Sequence, residues 1–222
     1  MAEFDGKTVS SEMVRTGMIP VFYNPDIEIS KSVLKACYDA GVRVFEFTNR
    51  GEKAAEVFGE LIEYSKTLPG LILGVGSISF AADARRFIRM GANFVVAPQY
   101  VPGVRRVCRW RRIPYIPGCG TVSEVGAAQR AGCDICKVFP GDVLGPSFVK
   151  SLRAPMPWSR LMETGGVKPT EETLRGWFAA GVCCVGMGSN LFPKEALSRG
   201  DWKAVTDLCA SSLETIKKIR SI

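Results

Sequence analysis

Short apolar runs alternate along the whole chain with longer segments in which apolar residues recur every three or four positions. Short apolar runs are typical of buried strands, and the longer spacing is typical of helices. The runs predict strands at 18–22, 43–48, 71–75, 94–97, 115–117, 135–139, 161–164 and 183–186. The longer segments predict crossover helices at 27–40, 54–66, 81–90, 123–131 and 171–180.

Capping signals at the predicted helix ends support this division. Glycines follow several helical segments, as C-caps require, and Thr121 to Glu124 and Thr170 match helix starts. Eight strand–helix units without a linker predict one α/β domain over residues 1–222, a closed (β/α)8 TIM barrel. An open doubly wound sheet is the alternative. Segments 5–16 and 202–219 are expected to be extra helices packed against the barrel ends, the first of them an extra N-terminal helix.

Hydropathy predicts no membrane partner. No apolar run approaches the roughly 20 residues that cross a bilayer, and the first residues lack the order of a signal peptide. The eight cysteines form no compact framework, so reduced thiols are expected. Together these features predict a cytoplasmic protein.

Composition narrows the available chemistry. The chain has no histidine, which excludes Ser/His and Cys/His nucleophile pairs. The Cys133-x-x-Cys136 pair has no second pair at ligand spacing, so we expect no metal site. The net charge of +7 lies partly in a cluster that fits the solvated face of one helix better than a nucleic-acid site. This cluster comprises Arg105, Arg106, Arg109, Arg111 and Arg112.

Lys137 interrupts the apolar strand predicted at 135–139. Burial disfavours the charged form of an ammonium group, and a neutral amine attacks a carbonyl to form a Schiff base. The alternative is an edge strand that leaves the lysine in solvent. Lys137 is therefore either a nucleophile or an ordinary surface residue.

Glu46 lies late in the second predicted strand, and alternation places it on the barrel interior with Lys137. A buried carboxylate beside a buried lysine suits proton transfer during imine chemistry. The alternative is a structural ion pair with Arg43, Arg50 or Lys137.

Two glycine-bearing turns follow the seventh and eighth predicted strands, at 164–167 and 186–190. Glycines let backbone amides approach an anion, and these two loops are the usual phosphate site of such barrels. The turns predict a phosphorylated or otherwise anionic substrate, with ordinary tight turns as the alternative.

Six motifs in the same order resemble the 2-keto-3-deoxy-6-phosphogluconate (KDPG) and 4-hydroxy-2-oxoglutarate aldolases, over residues 18–192. They are Gly-Val-Arg-Val-Phe-Glu-Phe-Thr-x-Arg at 41–50, Gly-Val-Gly-Ser at 74–77, Ile-Pro-Gly-x-x-Thr-Val-Ser-Glu at 116–124, Lys-Val-Phe-Pro at 137–140, Thr-Gly-Gly at 164–166 and Gly-Met-Gly-Ser at 186–189. The resemblance implies a metal-free, cofactor-free class I aldolase that cleaves a 2-keto-4-hydroxy acid to pyruvate and an aldehyde. It also implies a homotrimer and a place in the Entner–Doudoroff pathway.

The resemblance assigns roles to matching positions. Lys137 resembles the Schiff-base lysine, Glu46 the proton-transferring carboxylate and Arg50 the arginine that binds the keto-acid carboxylate. The remaining substrate-binding positions fall into two groups. Gly76, Ser77, Pro98 and Phe139 match the pyruvyl pocket, and Gly165, Gly166, Gly188 and Ser189 match the phosphate site.

Some positions depart from the family pattern. Ser77 replaces a threonine, Asn49 replaces an apolar residue beside Arg50, and Cys119, Gly120 and Met187 differ within their loops. These departures leave the aldehyde-side specificity open, including the C4 epimer and unphosphorylated acids. A phosphosugar epimerase or isomerase that uses Glu46 as base, and a non-catalytic sugar-phosphate-binding barrel, are the alternative functions.

Overall fold

A single nine-stranded parallel sheet organises the protein in the computed structural model, which describes residues 2–221. The strands are β1 Met18–Phe22, β2 Val44–Thr48, β3 Ile72–Gly76, β4 Val95–Val96, β5 Tyr115–Ile116, β6 Gly118–Cys119, β7 Ile135–Val138, β8 Arg160–Thr164 and β9 Cys184–Met187. Their order in the sheet is β5-β4-β3-β2-β1-β9-β8-β7-β6.

The two strands at the ends of this order are consecutive in the chain and are separated by Pro117 alone. Proline has no backbone N–H to donate, so it interrupts the ladder. The Pro117 carbonyl accepts a hydrogen bond from the Lys137 N–H at 2.9 Å, and Gly118 N–H donates to Ala97 O at 3.0 Å. The segment therefore closes the sheet, which confirms the (β/α)8 barrel, while the single strand predicted at 115–117 is replaced by two short ones.

Helices follow the strands along the chain. They are α1 Gly6–Thr16, α2 Ile27–Asp39, α3 Ala54–Ser65, α4 Ala81–Met90, α5 Pro102–Arg111, α6 Val122–Arg130, α7 Gly141–Arg153, α8 Glu171–Ala180, α9 Lys194–Arg199 and α10 Trp202–Arg220. The five predicted crossover helices all form. The α5 helix carries most of the arginine cluster on its outer side, while Val104, Val107 and Cys108 are buried.

Side chains from every second position of the strands point inward and fill the barrel interior. They include Ile19, Val44, Ile72, Ile135 and Met162. Val9 and Met13 of α1 join this cluster and close the amino-terminal end of the barrel. The extra N-terminal helix is thus confirmed at a barrel end.

The prediction that the C-terminal helix lies at a barrel end is wrong. The α10 helix packs between α2 and α8 in the outer ring. After β9 the chain forms only a short 3-10 turn, Ser189–Leu191, and the six-residue α9. These elements are too short to cover the sheet, so α10 takes the place of the eighth barrel helix through its buried stripe, which includes Val205, Cys209 and Ile216.

None of the helices within residues 2–221 is both long and apolar enough to cross a bilayer.

Candidate active site

Lys137 lies inside the barrel on β7, a strand hydrogen-bonded to β6 on one side and β8 on the other. This position rules out the exposed edge strand, and the side chain is only 5% exposed. Its Nζ lies 4.4 Å from the centroid of the Phe139 ring, a cation–π contact. Burial lowers the pKa of Lys137, and the nearby Glu46 carboxylate opposes this shift.

Glu46 occupies the matching inward position on β2 and is 1% exposed. Its carboxyl group lies against Gly76, where a Cβ atom would overlap with Oε1. Oε2 is buried without a hydrogen-bond partner among residues 2–221. Burial raises the pKa of Glu46, while the charges of Lys137 and Arg50 act in the opposite direction.

The structural ion-pair alternative for Glu46 is not observed. In the part of the chain that the structure describes, no nitrogen of Lys137, Arg43 or Arg50 lies within 4.0 Å of a carboxylate oxygen of Glu46. Arg43 instead donates to the carbonyls of Tyr38 and Val42 and lies 4.2 Å from the Tyr38 ring centroid. Glu46 therefore stays available for chemistry in the barrel interior.

Arg50 and Ser77 follow the adjacent strands β2 and β3 and are joined by a hydrogen bond from Arg50 Nε to Ser77 Oγ at 3.0 Å. Ser77 has φ of 61°, in the left-handed region that side chains other than glycine rarely adopt. Such a conformation costs on the order of 1 kcal/mol and is concentrated at functional sites. The pair places a cation and a hydroxyl at the mouth of the barrel.

Pro98 follows β4 at the same end, and its carbonyl approaches Gly118 so closely that a Cβ atom there would overlap with it. Gly118 pairs in register with Lys137 across β6 and β7. The structure therefore brings Pro98 near Lys137 through Gly118. The Gly118 contact is not apparent from the local pattern, although the residue lies inside the Ile116-Pro117-Gly118 motif.

The two glycine turns lie side by side, because Thr164 of β8 pairs with Gly186 of β9. Gly165 and Gly166 have φ of 133° and 72°, which favour glycine. Asn190 Nδ2 donates to Val167 O at 3.0 Å and ties the second turn, with Gly188 and Ser189, to the first. Asn190 is a residue that the sequence analysis did not assign.

Candidate metal ligands do not assemble: within residues 2–221, no group of three or more His, Cys, Asp and Glu side chains is placed to hold a metal ion. Cys133 and Cys136 are buried free thiols, as are most of the other cysteines.

A buried lysine and a buried carboxylate on the inner face of a (β/α)8 barrel, with an arginine and two glycine turns at its mouth, are the arrangement of a class I aldolase. Such an enzyme is a carbon–carbon lyase that works through a Schiff base.

Comparison with known proteins identifies the family. A model of the family "KDPG and KHG aldolase" matches residues 9–208. The KHG/KDPG aldolase of Escherichia coli (strain K12) is 32% identical over 216 residues, which cover 95% of this chain and 98% of that protein. A probable 2-dehydro-3-deoxy-6-phosphogalactonate aldolase of Rhizobium meliloti (strain 1021) is 33% identical over 144 residues, 64% of this chain and 66% of that protein.

A solved structure agrees with these relatives. It is the KDPG aldolase of Legionella pneumophila with pyruvate captured at low pH as a covalent carbinolamine intermediate. The two structures have a TM-score of 0.83 and 25% identity, covering 91% of this chain and 96% of that chain. The chain described here belongs to the KDPG and KHG aldolase family and is a class I aldolase.

Proposed function

We propose that Lys137 is the nucleophile of this aldolase and that Glu46 carries its protons. The observation that supports this most strongly is the burial of Lys137 on the inner face of β7, which lowers its pKa and favours the neutral, nucleophilic amine. Burial also raises the pKa of Glu46, which makes its protonated form more accessible, as suits a group that accepts and returns protons.

The reaction then follows from these two groups. The Lys137 Nζ lone pair attacks the C2 ketone, and a proton moves from the nitrogen to the ketone oxygen to give a carbinolamine. A proton delivered by Glu46 lets the carbinolamine hydroxyl leave as water, which gives a protonated imine and leaves Glu46 ionised. Glu46 accepts the proton of the C4 hydroxyl, the C3–C4 bond breaks, and its electron pair moves toward the imine nitrogen. The aldehyde leaves, C3 of the pyruvate enamine regains a proton, and water hydrolyses the imine to release pyruvate.

The pyruvyl end of the substrate meets the mouth of β2 and β3. Arg50 binds the keto-acid carboxylate there, with the Ser77 hydroxyl that it already contacts and the backbone at Gly76. Pro98 and the Phe139 ring, which lies beside Lys137 Nζ, form the pocket walls.

The anionic end binds at the two linked turns, with Gly165, Gly166 and Gly188 supplying close backbone approach and Ser189 a hydroxyl. The names of the relatives support KDPG, 4-hydroxy-2-oxoglutarate or both as the small-molecule keto-acid substrate. The aldehyde product is then glyceraldehyde 3-phosphate or glyoxylate. The similarity to the Rhizobium meliloti protein keeps the C4 epimer among the substrates to be assayed.

A lactate-dehydrogenase-coupled pyruvate assay tests this proposal across phosphorylated and unphosphorylated 2-keto-3-deoxy acids of both C4 configurations. Lys137→Met is expected to abolish pyruvate release from each of them. Lys150→Met, which changes an exposed lysine on the following helix, is the matched control and is expected to keep full activity. Pyruvate release that survives in Lys137→Met would show that cleavage does not need an imine on this lysine, and it would refute the role of Lys137 as the nucleophile.

The family resemblance also supports a homotrimer. Val143 and Trp158 are 77% and 68% exposed in the single chain, and an interface would cover apolar surface of this kind. Light scattering coupled to gel filtration is expected to give about three times the chain mass of 24.2 kDa. A monomer mass would refute the trimer without affecting the chemistry.

A cytoplasmic location is the last part of the proposal. Its support is the set of eight free cysteines, which a reducing compartment maintains. Fractionation of the source cells tests it, and recovery with secreted protein would contradict it.

A further inference from the structure

Glu163 is a buried acid that the proposed chemistry does not use. It lies on β8 between Met162 and Thr164, and alternation turns its side chain away from the barrel interior toward the helices. The residue is 0% exposed. Neither carboxyl oxygen has a hydrogen-bond partner among residues 2–221. A carboxyl group in this state calls for an explanation, because buried polar groups are nearly always paired.

The carboxyl group of Glu163 occupies the space that a side chain at position 141 would need. A Cβ atom on Gly141, the first residue of α7, would overlap with Glu163 Oε1. The absence of a side chain at Gly141 therefore accommodates the acid at the start of α7.

The same start of α7 contacts the first glycine turn. A Cβ atom on Gly165 would lie 2.9 Å from Gly141 N, and one on Gly166 would lie 2.9 Å from Asp142 Cβ. Glu163, the start of α7 and the Gly165–Gly166 turn thus form one packed unit.

The charges that act on Glu163 come from two elements, one in the outer ring and one across the sheet. Asp142 of α7 repels a negative charge at Glu163, and Lys137 of β7 attracts it. The neighbour on β9 is Val185, and the buried residues of α8 are apolar, among them Leu174 and Trp177. Burial is the largest effect, and it raises the pKa of Glu163 to about 9, so the acid is neutral at physiological pH.

We propose that Glu163 is a positioning residue for the anionic end of the substrate: its uncharged carboxyl group holds the start of α7 against the Gly165–Gly166 turn, and its ionised form does not. An ionised, unpaired carboxylate requires solvation, which this site provides only if α7 and the turn separate. The negative charge would also repel the anion bound at the turn. This inference rests on the proposed function, since it assumes that the turn binds the anionic end.

The test compares the pH dependence of two substrates that differ only in the phosphate. The measured quantity is the ratio of kcat/KM for KDPG to kcat/KM for unphosphorylated 2-keto-3-deoxygluconate, at pH 7 and pH 10. The ratio cancels the titration of Lys137, which affects both substrates, and the phosphate stays dianionic over this range. Glu163→Gln supplies a neutral group of the same shape, and Glu172→Gln, at an exposed position in α8, is the matched control.

In the unsubstituted protein and in Glu172→Gln, the ratio is expected to fall roughly tenfold or more between the two pH values, because charge repulsion and turn displacement act together. In Glu163→Gln the ratio is expected to stay constant. Glu163→Ala, which removes the packing as well, is expected to lower the ratio already at pH 7 through a higher KM for KDPG, an effect that Gln avoids.

A constant ratio in the unsubstituted protein, or the same fall in Glu163→Gln, would overturn the role of Glu163. Borohydride trapping of pyruvate on Lys137, measured in the same samples, separates this result from a failure of the proposed function. Intact trapping with a constant ratio overturns only the role of Glu163. Absence of trapping in the unsubstituted protein overturns the proposed function and this inference with it.

Discussion

The substitution Glu163→Gln is expected to raise the free energy of unfolding by an amount that depends on pH. An unperturbed glutamate has a pKa near 4.5, whereas Glu163 in the folded protein has a pKa of about 9. Between these values the unfolded chain is ionised at this position and the native protein is not. The native state then binds more protons, so the free energy of unfolding falls as pH rises from about 4.5 to about 9.

The magnitude follows from the width of this window. Each pH unit above 4.5 removes about 1.4 kcal/mol from the free energy of unfolding. At pH 7 the loss is about 3 kcal/mol, and above pH 9 it reaches a limit of about 6 kcal/mol. Gln is neutral in both states, so Glu163→Gln escapes this loss.

Urea unfolding followed by far-UV circular dichroism at pH 5, 6, 7 and 8 measures the effect. Glu163→Gln and the unsubstituted protein are expected to have similar stability at pH 5, and the variant is expected to become progressively more stable toward pH 8. Glu172→Gln is the control for removal of an exposed charge. A stability difference that does not change with pH would refute the argument, as would an unsubstituted protein that is the more stable of the two at pH 8.

Three further substitutions test the site. Glu46→Gln is expected to keep the fold, as measured by circular dichroism, and to slow pyruvate release by a factor of about 10²–10⁴, the usual loss for a general acid–base group. Unchanged turnover would remove Glu46 from the mechanism. Arg50→Ala is expected to raise KM for the keto acid more than Arg50→Lys does, because only the lysine keeps a cation beside Ser77; equal KM values in both variants would contradict this role. Gly118→Ala is expected to lower the free energy of unfolding by about 1–3 kcal/mol, seen as a lower urea midpoint, because the added methyl group overlaps with the Pro98 carbonyl. An unchanged midpoint would show that the contact is not tight.

Most of the barrel could be predicted because its strands and crossover helices carry local patterns. The apolar run at Ile135–Val138 is buried from both sides, and the helix at Ala81–Met90 has a strong apolar stripe. The division of the fifth strand at Pro117 was missed, because whether a proline interrupts a ladder depends on the strands that flank it. The place of α10 was missed because it depends on the short elements after β9.

In the candidate site, too, the features that depend on local pattern could be predicted, and those that depend on tertiary contacts could not. Strand alternation is a local property, and it predicts that Lys137 and Glu46 face the barrel interior. The rule that barrel chemistry lies at the carboxyl ends of the strands then marks both residues as candidates. The contacts of Gly118, Glu163 and Asn190 join residues from different strands and loops. They become visible only when the chain is folded, and nothing in the sequence of β8 distinguishes Glu163 from the other polar residues of that strand, Arg160 and Thr164.

The identity of the nucleophile is tested most directly by reducing the protein with borohydride in the presence of pyruvate and mapping the modified peptide. We predict a single pyruvyl adduct on Lys137, which forms in Lys150→Met and does not form in Lys137→Met. An adduct on another lysine, or no adduct while pyruvate is still released from substrate, would contradict it.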